Sequence, residues 1–256
     1  MSGPELRQIR AFLTAFARRQ AVRTVELPGG FAVLDDAFAY SHGNNRVVVN
    51  SVPGDVDPEA LPALADQALV HLKHRAITVL DDATGTACAG PLTRAGYRHS
   101  SELVMLHTGP VPDGGPAEDV ELDAFRLPLA RRWRGFLPRA GDDAVRQLVD
   151  RRETRRRGAD SVAFIGARTA EGDVASWADL YMDPVAGIAQ IEDLITAEDH
   201  LGRGYADAVL STALRRAVDA GCATRFLIAD ADDWPRYWYG RRGFTVIGRF
   251  HSFARD

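Results

Sequence analysis

The stretch IEDLITAEDHLGRGYADAVL, residues 191–210, limits the possible folds more than any other part of the chain. A β-branched strand runs into a loop carrying Gly202 and Gly204, and the loop opens directly into a helix. Ala206, Val209, Leu210, Ala213, Leu214, Ala217 and Val218 fall on one face of that helix, while Asp207, Arg215, Arg216 and Asp219 lie off it. Gly221 ends it. Such a junction is an anion site, because the first amides of a helix have no intrahelical partner and the macrodipole adds partial positive charge there. Glycines let the backbone approach a phosphate with no Cβ in the way. Two common phosphate loops are excluded. There is no GxxxxGK[ST], and the dinucleotide pattern GxGxxG fails because Asp207 stands where its third glycine belongs. The junction also comes late in the chain, after hairpin-like strands rather than at the start of a βαβ series.

Around this segment the pattern alternates helices and strands, which predicts an α/β (α+β) fold. In the second half, strands are expected at 120–125, 161–168, 174–182, 188–196 and 226–229, and helices at 129–137, 142–157 and 205–220. The N-terminal residues 5–19 place Leu6, Ile9, Phe12, Leu13 and Phe16 at helical spacing with polar residues between, which predicts an ordinary first helix and not a signal peptide. Residues 108–119, TGPVPDGGPAED, hold three prolines and three glycines and cannot continue a helix or an inner strand. The expected division is therefore 1–109, a linker 110–118, and 119–256, with 256 residues sufficing for two units of about 100–150. Both halves end alike. Each closes on a short helix, a Gly-aromatic turn (Gly96-Tyr97 and Gly243-Phe244) and an apolar strand, which predicts two copies of one architecture.

Composition removes several functions. A net charge of −4 and an isoelectric point near 6.0 give no reason to expect nucleic acid as partner. No apolar run reaches the roughly 18 residues of a membrane span, so no membrane partner is expected. Cys88 and Cys222 belong to no CxxC motif and are expected to be free thiols in a reducing cytoplasm. The histidines show no metal-ligand spacing, so no metal is expected, and there is no GxSxG elbow. The run Arg151, Arg152, Arg155, Arg156, Arg157 is expected to form a solvated helix face. His42, Asn44 and Asn45 are expected in a turn before a strand at 46–50.

The 191–210 segment closely resembles the cofactor-binding motif of the GCN5-related N-acetyltransferases, the GNAT superfamily. There an acidic strand ending in Leu-x-Val precedes [RQ]xxGx[GA] at the start of the long helix. Leu194, Ile195 and Thr196 occupy the strand end here, and Leu201, Gly202, Arg203, Gly204, Tyr205 and Ala206 the loop. Leu201 replaces the usual Arg or Gln, and Thr196 the usual Val. Downstream, DDWPRYWYGRRGF resembles the family's NxxAxxLYxxxGF, placing Asp232 at the Asn, Pro235 at the Ala, Trp238 at the Leu and Tyr239 at the Tyr. The resemblance covers about 188–250. The first half resembles a degenerate GNAT-like domain, without a glycine loop able to hold pyrophosphate. The fold implied is two tandem GNAT-like domains, each a mostly antiparallel central sheet flanked by helices.

The resemblance further implies an acyl-CoA-dependent N-acyltransferase, with acetyl-CoA or another acyl-CoA as co-substrate and a small-molecule or peptide amine as acceptor. Its pyrophosphate would lie on the amides of residues 202–206, and its pantetheine arm along residues 194–196. Glu192 is the first candidate for the base that deprotonates the amine, and Asp193 the second. Adjacent strand residues point to opposite faces, so one of the two meets substrate unless a bulge intervenes. Tyr239 matches the family position whose phenol protonates the departing thiolate. The alternative is a non-catalytic acyl-CoA-binding sensor or scaffold, which Leu201 and Asp232 favour. Acceptor identity, acyl length and oligomeric state are left open.

Overall fold

The structure is a computed structural model that describes residues 3–51 and 54–256. The chain forms two compact units. One comprises residues 1–105 with 228–256, and the other comprises residues 106–227.

The first unit opens with α1 (Pro4–Gln20), whose buried Leu6, Ile9, Phe12 and Phe16 are the side chains that the 3.6-residue period places on one face. Strands β1 (Arg23–Leu27), β2 (Gly30–Leu34) and β3 (Arg46–Val49) follow, joined as an antiparallel series. Then come α2 (Leu61–Ala68), β4 (Arg75–Val79), α3 (Asp82–Arg94) and β5 (Arg98–His107). Strand β4 pairs parallel with β3, which requires the crossover through α2. The residues that close this unit come from the other end of the chain. The short helix α7 (Pro235–Gly240) leads into β11 (Phe244–Arg255), which pairs antiparallel with β4 and lies between β4 and β5. The apolar core joins Val47, Leu61, Leu69, Ile77, Val79, Leu92, Tyr97 and Phe253.

Within the second unit, a two-residue β6 (Glu118–Asp119) precedes α4 (Leu122–Phe136) and α5 (Asp142–Asp150), the latter continuing as a 3-10 helix over Arg151–Arg157. Strands β7 (Ser161–Arg168), β8 (Val174–Asp183) and β9 (Ile188–Thr196) form an antiparallel series. Helix α6 (Tyr205–Asp219) then crosses to β10 (Thr224–Asp230), parallel to β9. Phe125, Phe164 and Trp177 anchor the core on the α4 side, with Phe125 stacked on Trp177 at 5.4 Å. The buried Val209, Leu210, Ala213, Leu214 and Ala217 of α6 pack toward the sheet. Both units thus repeat one succession: three antiparallel strands, a helix, and a strand parallel to the third. The shared ending is present too, since Gly96 and Gly243 both adopt positive φ between helix and strand. Here the α/β tandem architecture matches the expectation from the sequence.

Three readings need correction. Residues 120–125 are not a strand: pairing stops at Asp119, and Leu122, Phe125 and Leu129 are instead buried on one face of α4, whose Pro128 masked its length. The helix expected over 142–157 tightens to 3-10 geometry after Asp150. The arginine run is not a solvated face, because Arg152 and Arg155 are 3% and 7% exposed. The SHGNN segment is a turn, as expected, but a buried one. Asn45 accepts from the Asp35 N–H at 2.8 Å and donates to the Phe38 carbonyl at 2.9 Å. Residues 110–118 are held along α6, where Thr212 Oγ1 donates to the Gly115 carbonyl at 2.9 Å. A Cβ on Gly115 would stand 2.3 Å from the Ala208 carbonyl oxygen, so only glycine permits this approach.

Candidate functional site

The loop between β9 and α6 has the geometry its sequence requires. Gly202 and Gly204 have φ of 74° and 84°, left-handed values that other residues adopt only with strain. A Cβ built on either would meet nothing within 4 Å, so the space in front of the loop is open. The first intrahelical bond runs from the Ala208 N–H to the Gly204 carbonyl, which leaves the Tyr205 and Ala206 amides ahead of it at the helix start. Leu201, Gly202, Arg203 and Gly204 are exposed, and Tyr205 and Ala206 half-buried. The His200 and Tyr205 rings meet edge-on at 5.8 Å beneath the loop. Open space, two left-handed glycines and a 15-residue helix aimed at them fit a diphosphate group.

Strand β9 offers the second element. Its ladder with β10 covers only Ile188–Gln190, so the edge from Ile191 onward has no partner from β10 among the paired residues. Free strand edges accept an extended ligand through backbone hydrogen bonds. On the other side β9 stays paired with β8 out to Thr196. The Thr196 hydroxyl donates to Ser176 Oγ at 3.0 Å, and Ser176 Oγ donates to the Ile195 carbonyl at 2.8 Å. Those bonds give the departure from Val at position 196 a local purpose.

The two candidate carboxylates sit on a β-bulge. The β8–β9 register jumps, with Trp177 opposite Ile195 but Asp179 opposite Glu192. Asp193 has φ of 49°, the one non-glycine residue with positive φ among the described residues. Directly opposed residues share a face, so Glu192 lies on the face of Asp179. Asp193 reaches that face too, because its carboxylate contacts Arg155 at 2.8 Å, the same guanidinium that donates to Asp179 Oδ2 at 2.5 Å. Both carboxylates therefore stand on one side of the sheet, which strict alternation would forbid.

Their surroundings differ. Glu192 is half-buried and accepts from Gln190 Nε2 at 2.5 Å. Asp193 is ion-paired, with Arg152 at 3.6 Å in addition to Arg155. Burial opposes its charge, but the Arg155, Arg152 and Arg151 guanidiniums outweigh burial and hold its carboxyl well below the usual carboxylate range. Beneath them Asp179, fully buried, accepts from Arg152 Nε at 2.7 Å and from the Tyr181 hydroxyl at 2.8 Å. Burial raises the Tyr181 phenol well above its ordinary pKa, so it stays a neutral donor. Asp179 and Tyr181 were missed in the sequence, and Arg152 and Arg155 were expected on a solvated face. The available signal was a lone carboxylate inside the otherwise apolar strand VASWADLYMD, which demands a buried cation.

Tyr239 and Asp232 belong to the first unit. Tyr239 is half-buried on α7, edge-on to Trp238 at 5.2 Å and to Phe244 at 5.8 Å. Arg242 covers the Trp238 ring at 3.6 Å. Asp232 is exposed, its N–H bonded to Asp230 Oδ1 at 2.8 Å.

A bulged strand, a strand edge without a β10 partner and a glycine turn at a helix start come together in the second unit of this α/β fold. Comparison with known proteins carries this further. The acetyltransferase (GNAT) family matches residues 129–244. A GCN5-related N-acetyltransferase from Kribbella flavida shares 17% identity over 99% of this chain and 96% of its own, with a TM-score of 0.60. A functionally unknown conserved protein from Staphylococcus epidermidis reaches a TM-score of 0.64 at 12% identity, covering 90% of this chain and 92% of its own. A tandem GNAT protein of the clavulanic acid biosynthesis pathway aligns over 98% of this chain and 94% of its own, with a TM-score of 0.52 at 12% identity. No curated protein matches. Identities this low establish the fold alone. Residues 129–244 thus match the GNAT family, and the whole chain shares its fold with GNAT structures, a tandem GNAT protein among them. Among the described residues, no helix is long and apolar enough to cross a membrane.

Proposed function

We propose that this protein transfers an acetyl or other short acyl group from acyl-CoA to an amine. The observation that carries the reading is the glycine turn at the start of α6, with its open space and the helix amides that precede the first intrahelical bond. Residues 202–206 hold the pyrophosphate, and residues 194–196 present the strand edge to the pantetheine arm. Bound acyl-CoA supplies a thioester carbonyl open to direct attack by the amine. Amines are mostly protonated near pH 7, so a base must take a proton. Glu192 takes that role as the first carboxylate of the acidic strand, half-buried and accepting from the Gln190 amide. By its motif position, Tyr239 returns a proton to the departing sulfur, and Asp232 occupies the family's cofactor-contacting Asn position. In this reading, segments 1–109 and 119–256, joined by 110–118, are two copies of one domain, and the second carries the phosphate loop. The free, buried Cys88 and Cys222 suit a reducing compartment such as the cytoplasm. The acceptor is a small molecule or a peptide amine.

Calorimetry with acetyl-CoA, CoA and a nucleoside triphosphate tests the carrier. Binding of the CoA species alone is expected, and no heat from them at millimolar concentration would refute the reading. Thiol release from acetyl-CoA across a panel of amines tests catalysis, with Tyr239→Phe slowing release and sparing affinity. A second reading, a carrier-binding sensor without catalysis, is favoured by the exposed Leu201 in place of the family's Arg or Gln. CoA binding with no thiol release for any amine would select it.

A further inference from the structure

A pocket of about 680 Å³ in the first unit has no role in the proposed transfer. Strands β5 and β11 are neighbours in the sheet, and alternate residues of a strand share a face. Leu103 and Met105 of β5, with Phe244 and Val246 of β11, thus form an apolar floor. Helix α7 supplies a wall through Arg236, Tyr237 and Gly240, and Arg241 follows at its end. Gly240 is not among the glycines with positive φ, so its backbone has no need of glycine, and a Cβ there would meet nothing within 4 Å. What the missing side chain leaves is room.

The charge in this lining is of one sign. Arg236 lies over the Tyr237 ring at 4.5 Å and donates from Nη2 to the Tyr237 hydroxyl, two contacts that hold the guanidinium in place. Its Nε–H is shut off from solvent and has no hydrogen-bond acceptor among the described residues. Neither Arg236 nor Arg241 has a carboxylate partner among the described residues, and no acidic side chain lines the pocket. Glu102 of β5 alternates with Leu103, so it lies on the other face, where Ser252 donates to it. A secluded donor without an acceptor costs stability, and an anion that reaches it removes that cost. A planar carboxylate matches the guanidinium fork, and an apolar body covers the floor. We propose that this pocket binds a small monocarboxylic acid with an apolar body. Its carboxylate sits on Arg236, with the exposed Arg241 adding attraction, and its body lies on the floor formed by β5 and β11. The site is built from other residues than the phosphate loop and stands whether or not the protein transfers an acyl group.

The test is NMR on protein whose methionines, three in the chain, carry 13C at the methyl carbon. Met105 reports on the pocket floor, its resonance identified by its loss in Met105→Leu, and Met182 on β8 serves as internal reference. Phenylacetate, added without CoA, is expected to shift the Met105 methyl saturably, with half-saturation below about 5 mM, and to leave Met182 in place. Phenylacetamide keeps the ring without the charge and should bind about tenfold more weakly, as should phenylacetate to Arg236→Met. Arg241→Met, a change at an exposed residue, should weaken binding by about threefold, and it is read alone if Arg236→Met does not fold. Acetate and inorganic phosphate supply charge without an apolar body and should leave Met105 unmoved. The proposal is overturned if phenylacetate at about 20 mM leaves Met105 where it was. Phenylacetamide binding as tightly as phenylacetate, acetate or phosphate binding equally well, or unchanged affinity in the arginine variants would each overturn it too.

Discussion

Replacing Gly204 separates what its backbone does from what the space above it holds. Gly204 caps α6 with φ of 84° and ψ of −1°, and a Cβ there touches nothing within 4 Å. Gly204→Ala therefore meets no clash, and its cost is conformational, about 1–2 kcal/mol for a left-handed non-glycine residue. In a chain of this size that lowers Tm by roughly 2–8 °C. CoA affinity should fall only severalfold, since one methyl borders the phosphate position. Gly204→Glu adds a charge aimed into the same space. A carboxylate ~6 Å from a diphosphate of about two charges, at an effective dielectric constant of about 40, costs roughly 1.4 kcal/mol per charge. Physiological salt screens about half of that sum, which leaves about a tenfold loss beyond the alanine variant. Calorimetric titration of CoA into both variants at about 50 and 300 mM salt reads this directly, and the gap between them should narrow as salt rises. Equal affinities for the two variants at low salt would refute a phosphate seat at this turn.

Other outcomes follow from the buried polar layers. Asp179→Ala leaves two buried guanidiniums without their shared partner and should destabilise the protein by about 3–5 kcal/mol, read by urea unfolding. Gly85→Ala would place a methyl 2.2 Å from the His251 ring, so a Tm loss equivalent to about 1–3 kcal/mol is expected. His99 and His74 both carry pKa values lowered by burial, with His251 and Arg249 adding to the effect at His99 and the Asn45 carbonyl opposing it at His74. The folded state thus resists protonating them. Their contribution is intact above the unfolded value of about 6.5 and is lost as pH falls toward the folded values. Tm should drop between pH 7 and 5, by less in His99→Gln, and a flat profile would count against imidazoles held neutral by the fold.

The parts legible in the sequence were those set by local periodicity. Strands β7 and β9 and helix α6 lie where alternation and 3.6-residue spacing put them, because each has one apolar face and clear glycine boundaries. The glycine turn was legible for the same reason, since φ above zero selects its residue type. Long-range partners were hidden. That Asp193 shares a face with Glu192 depends on a register jump against Trp177 and Asp179, which nothing within β9 announces. Burial of Arg152 and Arg155 depends on Asp179, more than twenty residues away. Pro128 broke the apparent run of α4, although its missing N–H is tolerated inside that helix.

Strand β11 has a consequence for how the protein comes into being. It sits between β4 and β5, and its His251 meets His99 across 152 residues of sequence. During synthesis, β4 and β5 leave the ribosome with a strand-wide gap between them, two hydrogen-bonding edges waiting for a filler made only after residues 106–227. Those intervening residues have time to fold on their own, while the first unit must wait until β11 emerges. Until then its unpaired edges are open to other nascent chains.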